Sequence, residues 1–94
     1  MNVMFLIVYD IKNDKLRTRF AKFLKQFGRR VQYSVFEIMN SPRVLGNIRA
    51  EIERKFEKHF EQSDSVLIFD VPENACVGRF GYPVNEEGDL IMSG

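Results

Sequence analysis

Seven consecutive residues, Val3 to Tyr9, are apolar, and the run stops on a carboxylate, Asp10. A short apolar run bounded by turn-forming residues reads as a β-strand buried on both faces. Aspartate is depleted in strands and costly to bury unpaired. Asp10 is therefore expected at the mouth of the fold, on a rigid element, where a metal or a phosphate can be met. The stretch Asp10-Ile11-Lys12-Asn13-Asp14 is also good loop chemistry, so an ordinary strand-end turn is the competing reading.

Strand, helix, strand, helix, strand and tail follow one another along the 94 residues, which suffice for one domain. A chain this short builds a modest core, and dimerisation would help it. The first helix is expected from Asp14 to Phe27, with Asn13 or Asp14 as N-cap and Gly28 as its stop. Leu16, Phe20, Phe23, Leu24 and Phe27 form one apolar stripe at helical spacing. Lys15, Lys22 and Lys25 lie on the far side of the wheel. Arg17 and Arg19 flank the stripe, where an arginine can lay its stem on apolar surface and aim its guanidinium outward. That places them better than the lysines to act near Asp10.

Arg30 to Met39 reads as extended chain, either one bent strand or two short ones with the break near Ser34. Ser41-Pro42 opens the second helix, serine as N-cap and proline at the first helical position. Its stripe is Val44, Leu45, Ile48, Ile52, Phe56 and Phe60, and its outer face mixes both signs of charge. His59 falls inside that stripe and is expected to pack partly buried. Ser65 to Val71 is a further buried strand, ended by Pro72. The rest is turn-rich, with extended pieces at Arg79–Tyr82 and Leu90–Met92. Leu90-Ile91-Met92 is too apolar to stand in water and is expected to add to a sheet edge, its own or a partner's.

The net charge of +1 hides an asymmetry. Residues 1–30 carry eight basic side chains against two acidic, a net +6; residues 61–94 carry one basic against seven acidic, a net −6. The basic third is suited to a polyanion, or else the two surfaces meet each other within the fold or across a dimer. Cys76 is the only cysteine, so an intrachain disulfide is excluded. The first apolar run lacks a basic leader and is too short to span a bilayer. A soluble protein of the cytoplasm, without a membrane partner, is expected.

No glycine-rich phosphate loop, no paired Cys or His ligand set and no Ser/His/Asp order occurs in the chain. Ser34 has no general base indicated beside it. One acid at a strand end with several arginines suits phosphodiester chemistry. Mg²⁺ takes oxygen ligands and can be held by one or two carboxylates plus the substrate phosphate. Arginine forks neutralise the non-bridging oxygens. A single Asp per chain is a poor metal site, whereas two Asp10 residues facing across a two-fold axis are a credible one.

Tyr9-Asp10 after the apolar strand, Leu16-Arg17-x-Arg19 with Phe23-Leu24, Gly28, then Arg30-Val31-Gln32-Tyr33-Ser34-Val35-Phe36-Glu37 and Asp64-Ser65-Val66 resemble the second numbered CRISPR-associated protein family, the small subunit of spacer acquisition. The tail Gly81-Tyr82-Pro83-Val84-Asn85-Glu86-Glu87-Gly88-Asp89-Leu90-Ile91 resembles tails of that family too. The resemblance implies an α+β fold with a ferredoxin-like βαββαβ core, residues 1–75, in a tight homodimer. The tail, residues 76–94, would pack on the partner subunit as an extra C-terminal strand.

It further implies a subunit of CRISPR adaptation that holds duplex DNA with the CRISPR integrase, and a metal-dependent endonuclease on single-stranded RNA or double-stranded DNA. Asp10 corresponds to the family's metal-binding acid, with Mg²⁺ or Mn²⁺ between the two Asp10 of the dimer. Tyr9, Arg17, Arg19, Arg30 and Phe36 match positions implicated in catalysis beside it. Lys12, Lys15, Arg17, Arg19, Lys22, Arg29 and Arg30 would hold the phosphates. Arg29-Arg30 offers two arginines at the register of one, and either can be the functional residue. Phe36 is open to two readings, a core or dimer contact and a base-stacking ring. The alternatives are a non-catalytic DNA-holding scaffold, a ribonuclease toxin of related fold, and a bare ferredoxin-like module.

Overall fold

Phe5, Ile7 and Tyr9 alternate with Met4, Leu6 and Val8 along the first strand, and the molecule is organised by that parity. The structure is a computed structural model, and it describes residues 1–72, 74, 75, 78, 80 and 81. The elements are β1 (Val3–Asp10), α1 (Asp14–Lys25), β2 (Gly28–Gln32), β3 (Val35–Asn40), α2 (Pro42–Glu51) and β4 (Ser65–Val71). The four strands form one antiparallel sheet in the order β2-β3-β1-β4. This is the ferredoxin-like βαββαβ arrangement expected. The extra C-terminal strand, the piece at Leu90–Met92, Cys76, and Arg79 and Tyr82 at the two ends of the expected Arg79–Tyr82 piece lie outside the described residues, while Phe80 and Gly81 between them are not in a strand.

Asn13 caps α1, its side-chain oxygen accepting from the Leu16 N–H at 2.9 Å. Asn13, not Asp14, therefore takes the cap, and its carbonyl accepts from the Arg17 N–H. Leu16, Phe20, Ala21 and Leu24 are buried, while Phe23 and Phe27 pack at the core margin. The helix ends at Lys25, two residues short of the expected Phe27, and Gly28 serves a different purpose from a helix stop. Gly28 opens β2 opposite Ile38. A Cβ there would lie 2.3 Å from the Glu37 carbonyl oxygen and 2.9 Å from the Ile38 Cα. Only a residue without a side chain lets the strand come this close.

Residues 28–40 are two strands, not one bent one. They pair as a hairpin with Gln32 opposite Val35, leaving Tyr33 and Ser34 as the turn, and the register slips between Arg30 and Gln32. The Tyr9 N–H donates to the Ser34 carbonyl at 3.0 Å, which ties the hairpin tip to the end of β1.

Both helices cover one face of the sheet. Phe5, Ile7, Tyr9, Phe36 and Ile38 meet Leu16, Phe20 and Leu24 of α1 and Ile48, Ile52 and Phe56 of the second helical segment. Aromatic edges lock this core: Phe20 stands T-shaped on Tyr9 at 5.0 Å and on Phe56 at 5.1 Å. Among the described residues, the opposite face carries no helix. Met4, Leu6 and Val8 are there only half-buried, and Met39, Leu67 and Phe69 are at least half exposed. Two expectations are corrected by this. Among the described residues β1 is sealed on one face rather than two, and β4 is an edge strand with an exposed apolar row, because both helices pack on the same side.

His59 is also corrected, being exposed rather than tucked into the stripe. After Glu51 the helix widens into a π turn over Ile52–Phe56 and tightens into a 3₁₀ turn over Glu57–His59. The extra residue in the wider turn rotates everything after Phe56 out of the wheel that an α-helix would follow.

Candidate functional site

Asp10 is the last residue of β1 and lies opposite Ser65. Tyr9 points toward the helices, so Asp10, one residue on, falls on the open face with Val8 and Leu6. Its carboxylate is 67% exposed and pairs with the Lys12 ammonium at 3.2 Å. The cation on Asp10 is thus a loop lysine rather than either helix arginine.

The loop bearing Lys12 is fixed from both ends. Asp64, just before β4, accepts the Lys12 backbone N–H at 3.0 Å and the Glu61 N–H at 2.8 Å. The Glu61 N–H, then the Lys12 N–H, hold the Asp64 carboxyl below its ordinary range. Lys12 Nζ also donates to the Ser63 carbonyl at 3.5 Å. From the other side Arg17 donates to the Ile11 carbonyl at 3.0 Å and the Lys12 carbonyl at 3.3 Å, and pairs with Asp14. Arg17 therefore sets the shape of the loop that follows Asp10.

The other expected residues separate by the same parity. Arg29 lies on the open face and pairs with Glu37 at 3.1 Å. Arg30 lies on the helix side, its guanidinium carbon 5.8 Å from the Tyr33 ring centroid and 5.5 Å from that of Phe36. Phe36 is wholly buried against Tyr9, which makes it a core residue within the chain. Tyr9 is likewise a core side chain. Arg19 turns away from Asp10 and sits over Phe56 at 5.9 Å. Lys15 is exposed on the first turn of α1.

Between α1 and the β2–β3 hairpin is a cleft of about 450 Å³, lined by Tyr9, Arg17, Lys22, Lys25, Arg30 and Tyr33, with Thr18 and Ala21 beneath. Sequence reasoning takes Arg17, Lys22 and Arg30 as part of a phosphate-holding set, and the structure brings these three together. It passes over Lys25 and Tyr33, the latter because the alternation of Val31, Tyr33 and Val35 hides the turn. Asp64 enters there only as part of a motif, and its neighbour Ser65 is the residue facing Asp10.

Two chemical settings result. An exposed carboxylate with an attendant lysine stands at the end of an open apolar face, and a cationic cleft lies on the opposite side of the sheet. Among the described residues no three His, Cys, Asp or Glu side chains are grouped to hold a metal ion. Nor is any described helix long and apolar enough to cross a membrane.

The family described as CRISPR associated protein Cas2 matches residues 1–77. A protein of Thermus thermophilus named CRISPR-associated endoribonuclease Cas2 is 35% identical over 97 residues, covering 97% of this chain and 100% of that one. A protein of Methanospirillum hungatei named CRISPR-associated endoribonuclease Cas2 2 is 34% identical over 77 residues, 82% of this chain and 81% of that one. In three dimensions the chain is similar to the crystal structure of a hypothetical protein from Thermus thermophilus, with a TM-score of 0.76 and 29% identity over 90% of this chain and 98% of that one.

Proposed function

The chain belongs to the CRISPR associated protein Cas2 family, and from that premise we propose that it is a homodimeric endonuclease serving CRISPR adaptation, hydrolysing phosphodiester bonds with Mg²⁺ or Mn²⁺. Membership sets aside the toxin and the bare module. The observation that carries the reading is the exposed Asp10 carboxylate on the face of the sheet that no described helix covers.

That face is apolar along Leu6, Val8, Leu67 and Phe69, and a second copy of the chain is the occupant that covers it with the same chemistry. An interface of this kind is isologous, so each subunit contributes its own Asp10 to one seam. The fit to a hard divalent cation follows from the donor set. One carboxylate is too few, while two carboxylates with waters and a substrate phosphate complete an oxygen shell. When bound, the cation supplies a Lewis acid for the phosphate and lowers the pKa of a coordinated water. The chain's own part is to hold Asp10 at a fixed strand end, with Lys12 balancing its charge. Asp64 and Arg17 fix the backbone of the loop that carries Lys12. Arg17, Lys22 and Arg30 offer donors to phosphate oxygens, with Lys12, Lys15, Arg19 and Arg29 adding to the basic surface. The CRISPR integrase, duplex DNA and single-stranded RNA are the partners this reading assigns.

The Asp10–Lys12 ion pair favours a second reading, because a partnered acid can be structural. In that version the dimer holds duplex DNA for the integrase and cleaves nothing. Cleavage of single-stranded RNA and duplex DNA, in Mg²⁺ and in EDTA, by the wild-type chain and Asp10→Asn separates the two. Activity that needs metal and disappears in Asp10→Asn is expected. No cleavage, or equal cleavage by both proteins, removes the nuclease and leaves the scaffold.

A further inference from the structure

We propose that the cleft between α1 and the β2–β3 hairpin is a nucleotide-anchoring site, where cationic side chains hold a phosphate of a single strand while its base stacks on Tyr33. The inference rests on the chain acting on nucleic acid, and adds a site that Asp10 does not share.

The cleft, at about 450 Å³, is within the usual range of small-ligand sites, about 300–1,000 Å³. Arg17, Lys22, Lys25 and Arg30 converge on it, and no carboxylate is among its described lining residues. Arg17 reaches the cleft already paired with Asp14, and Lys22, Lys25 and Arg30 stand beside that pair. A phosphate is the anion that arginine and lysine donors suit together.

Tyr33 names the rest of the ligand. Two-residue hairpin turns favour Asn-Gly or Asp-Gly, since such turns demand unusual backbone angles. Here the turn is Tyr33-Ser34, and Tyr33 is 72% exposed. A large ring in a turn, with so little packing in return, breaks a local rule in the way functional positions do. The ring is braced, because the Arg30 guanidinium lies 5.8 Å from its centroid and 5.5 Å from that of the buried Phe36. An exposed, braced ring at the lip of a cationic cleft is the combination that single-strand binders use, stacking for the base and charge for the backbone. Bases inside a duplex are already stacked on both faces and are closed to it.

Tyr9 lines this cleft while Asp10 points to the other side of the sheet, so the site anchors and does not cleave. Loss of the Tyr33 ring is expected to raise KM for a single strand more than it lowers kcat.

The test is fluorescence anisotropy in EDTA, where cleavage plays no part, so a failed nuclease reading does not disturb it. The probe is a 3′-labelled single-stranded RNA of about twelve nucleotides, with either a 5′-phosphate or a 5′-hydroxyl, beside a blunt duplex. Tyr33→Ala is expected to weaken single-strand binding about tenfold and to leave the blunt duplex unaffected. Tyr33→Phe is expected to bind as wild type, and Lys22→Ala to weaken single-strand binding independently. A loss confined to the phosphorylated strand assigns a terminal phosphate, and an equal loss with both strands assigns an internal phosphodiester. The proposal is overturned by no single-strand binding in the wild type, by Tyr33→Ala binding as wild type, by equal loss on the duplex, or by Tyr33→Phe failing like alanine.

Discussion

The two faces of the sheet are made from the same strands and have opposite fates. On the covered face, Phe5, Ile7, Phe36 and Ile38 are completely buried under both helices. On the open face, Leu67 and Phe69 stand about half exposed, beside the half-buried Leu6 and Val8. Alternation alone cannot produce this difference, because both sets of residues are apolar. Helix placement produces it. The covered face supplies the stability of one chain, and the open face is the one to which the proposed association falls. The strongest acid candidate, Asp10, is at the end of the open face, while the cationic cleft belongs to the covered side.

The comparison breaks most severely at Phe36. Phe36→Ala empties a fully buried ring site, which costs about 3–5 kcal/mol, against a total of about 5–15 kcal/mol for a domain of ordinary stability. Urea unfolding followed by circular dichroism is expected to show most of the stability gone. If the variant unfolds like wild type, the covered face is not the source of stability.

Phe69→Asp tests the other face. An exposed substitution changes the isolated chain by only about 0.5 kcal/mol, yet a charge on an apolar dimer face is repelled by its own copy. Sedimentation velocity is expected to show a dimer for wild type and a monomer for Phe69→Asp. The wild-type melting temperature should rise with concentration, and that of the variant should not. A variant that stays dimeric moves the interface elsewhere.

The smallest effect is expected at the loop joining the two faces. The Asp64 carboxyl titrates below its ordinary value of 3.8 because the folded chain donates two backbone N–H groups to it. Its contribution is full above the unfolded value and is lost as pH falls through the folded one. Asn keeps an acceptor but not the charge. The stability of Asp64→Asn should therefore fall less steeply than that of wild type between about pH 5 and pH 3. Parallel curves would show that the carboxylate is not held by the loop.

Much of this was legible beforehand, for definite reasons. Asn13 and Ser41 announce their helices because a side-chain acceptor before an amphipathic run has few other uses. Gly28 was legible as a special position but not as a close strand contact, since no spacing rule reports what lies across a sheet. The hairpin break was undecidable because Val31, Tyr33 and Val35 continue an alternation through the turn. His59 was misplaced because a wheel of fixed pitch cannot register a π turn. At the site, Asp10, Arg17 and Arg30 were legible as chemistry and not as geometry. The parity of Tyr9 and Asp10 already implied opposite faces, yet which face the helices would take depended on tertiary packing.

Gly28 bears on inheritance as well as on folding. Any amino-acid replacement brings a Cβ, and at position 28 that atom would press on the backbone of Glu37 and Ile38. Gly46, on α2, has nothing within 4 Å of the corresponding point. Replacements are therefore filtered unequally at the two positions. Position 46 is free to drift, while position 28 has almost no neutral path out of glycine.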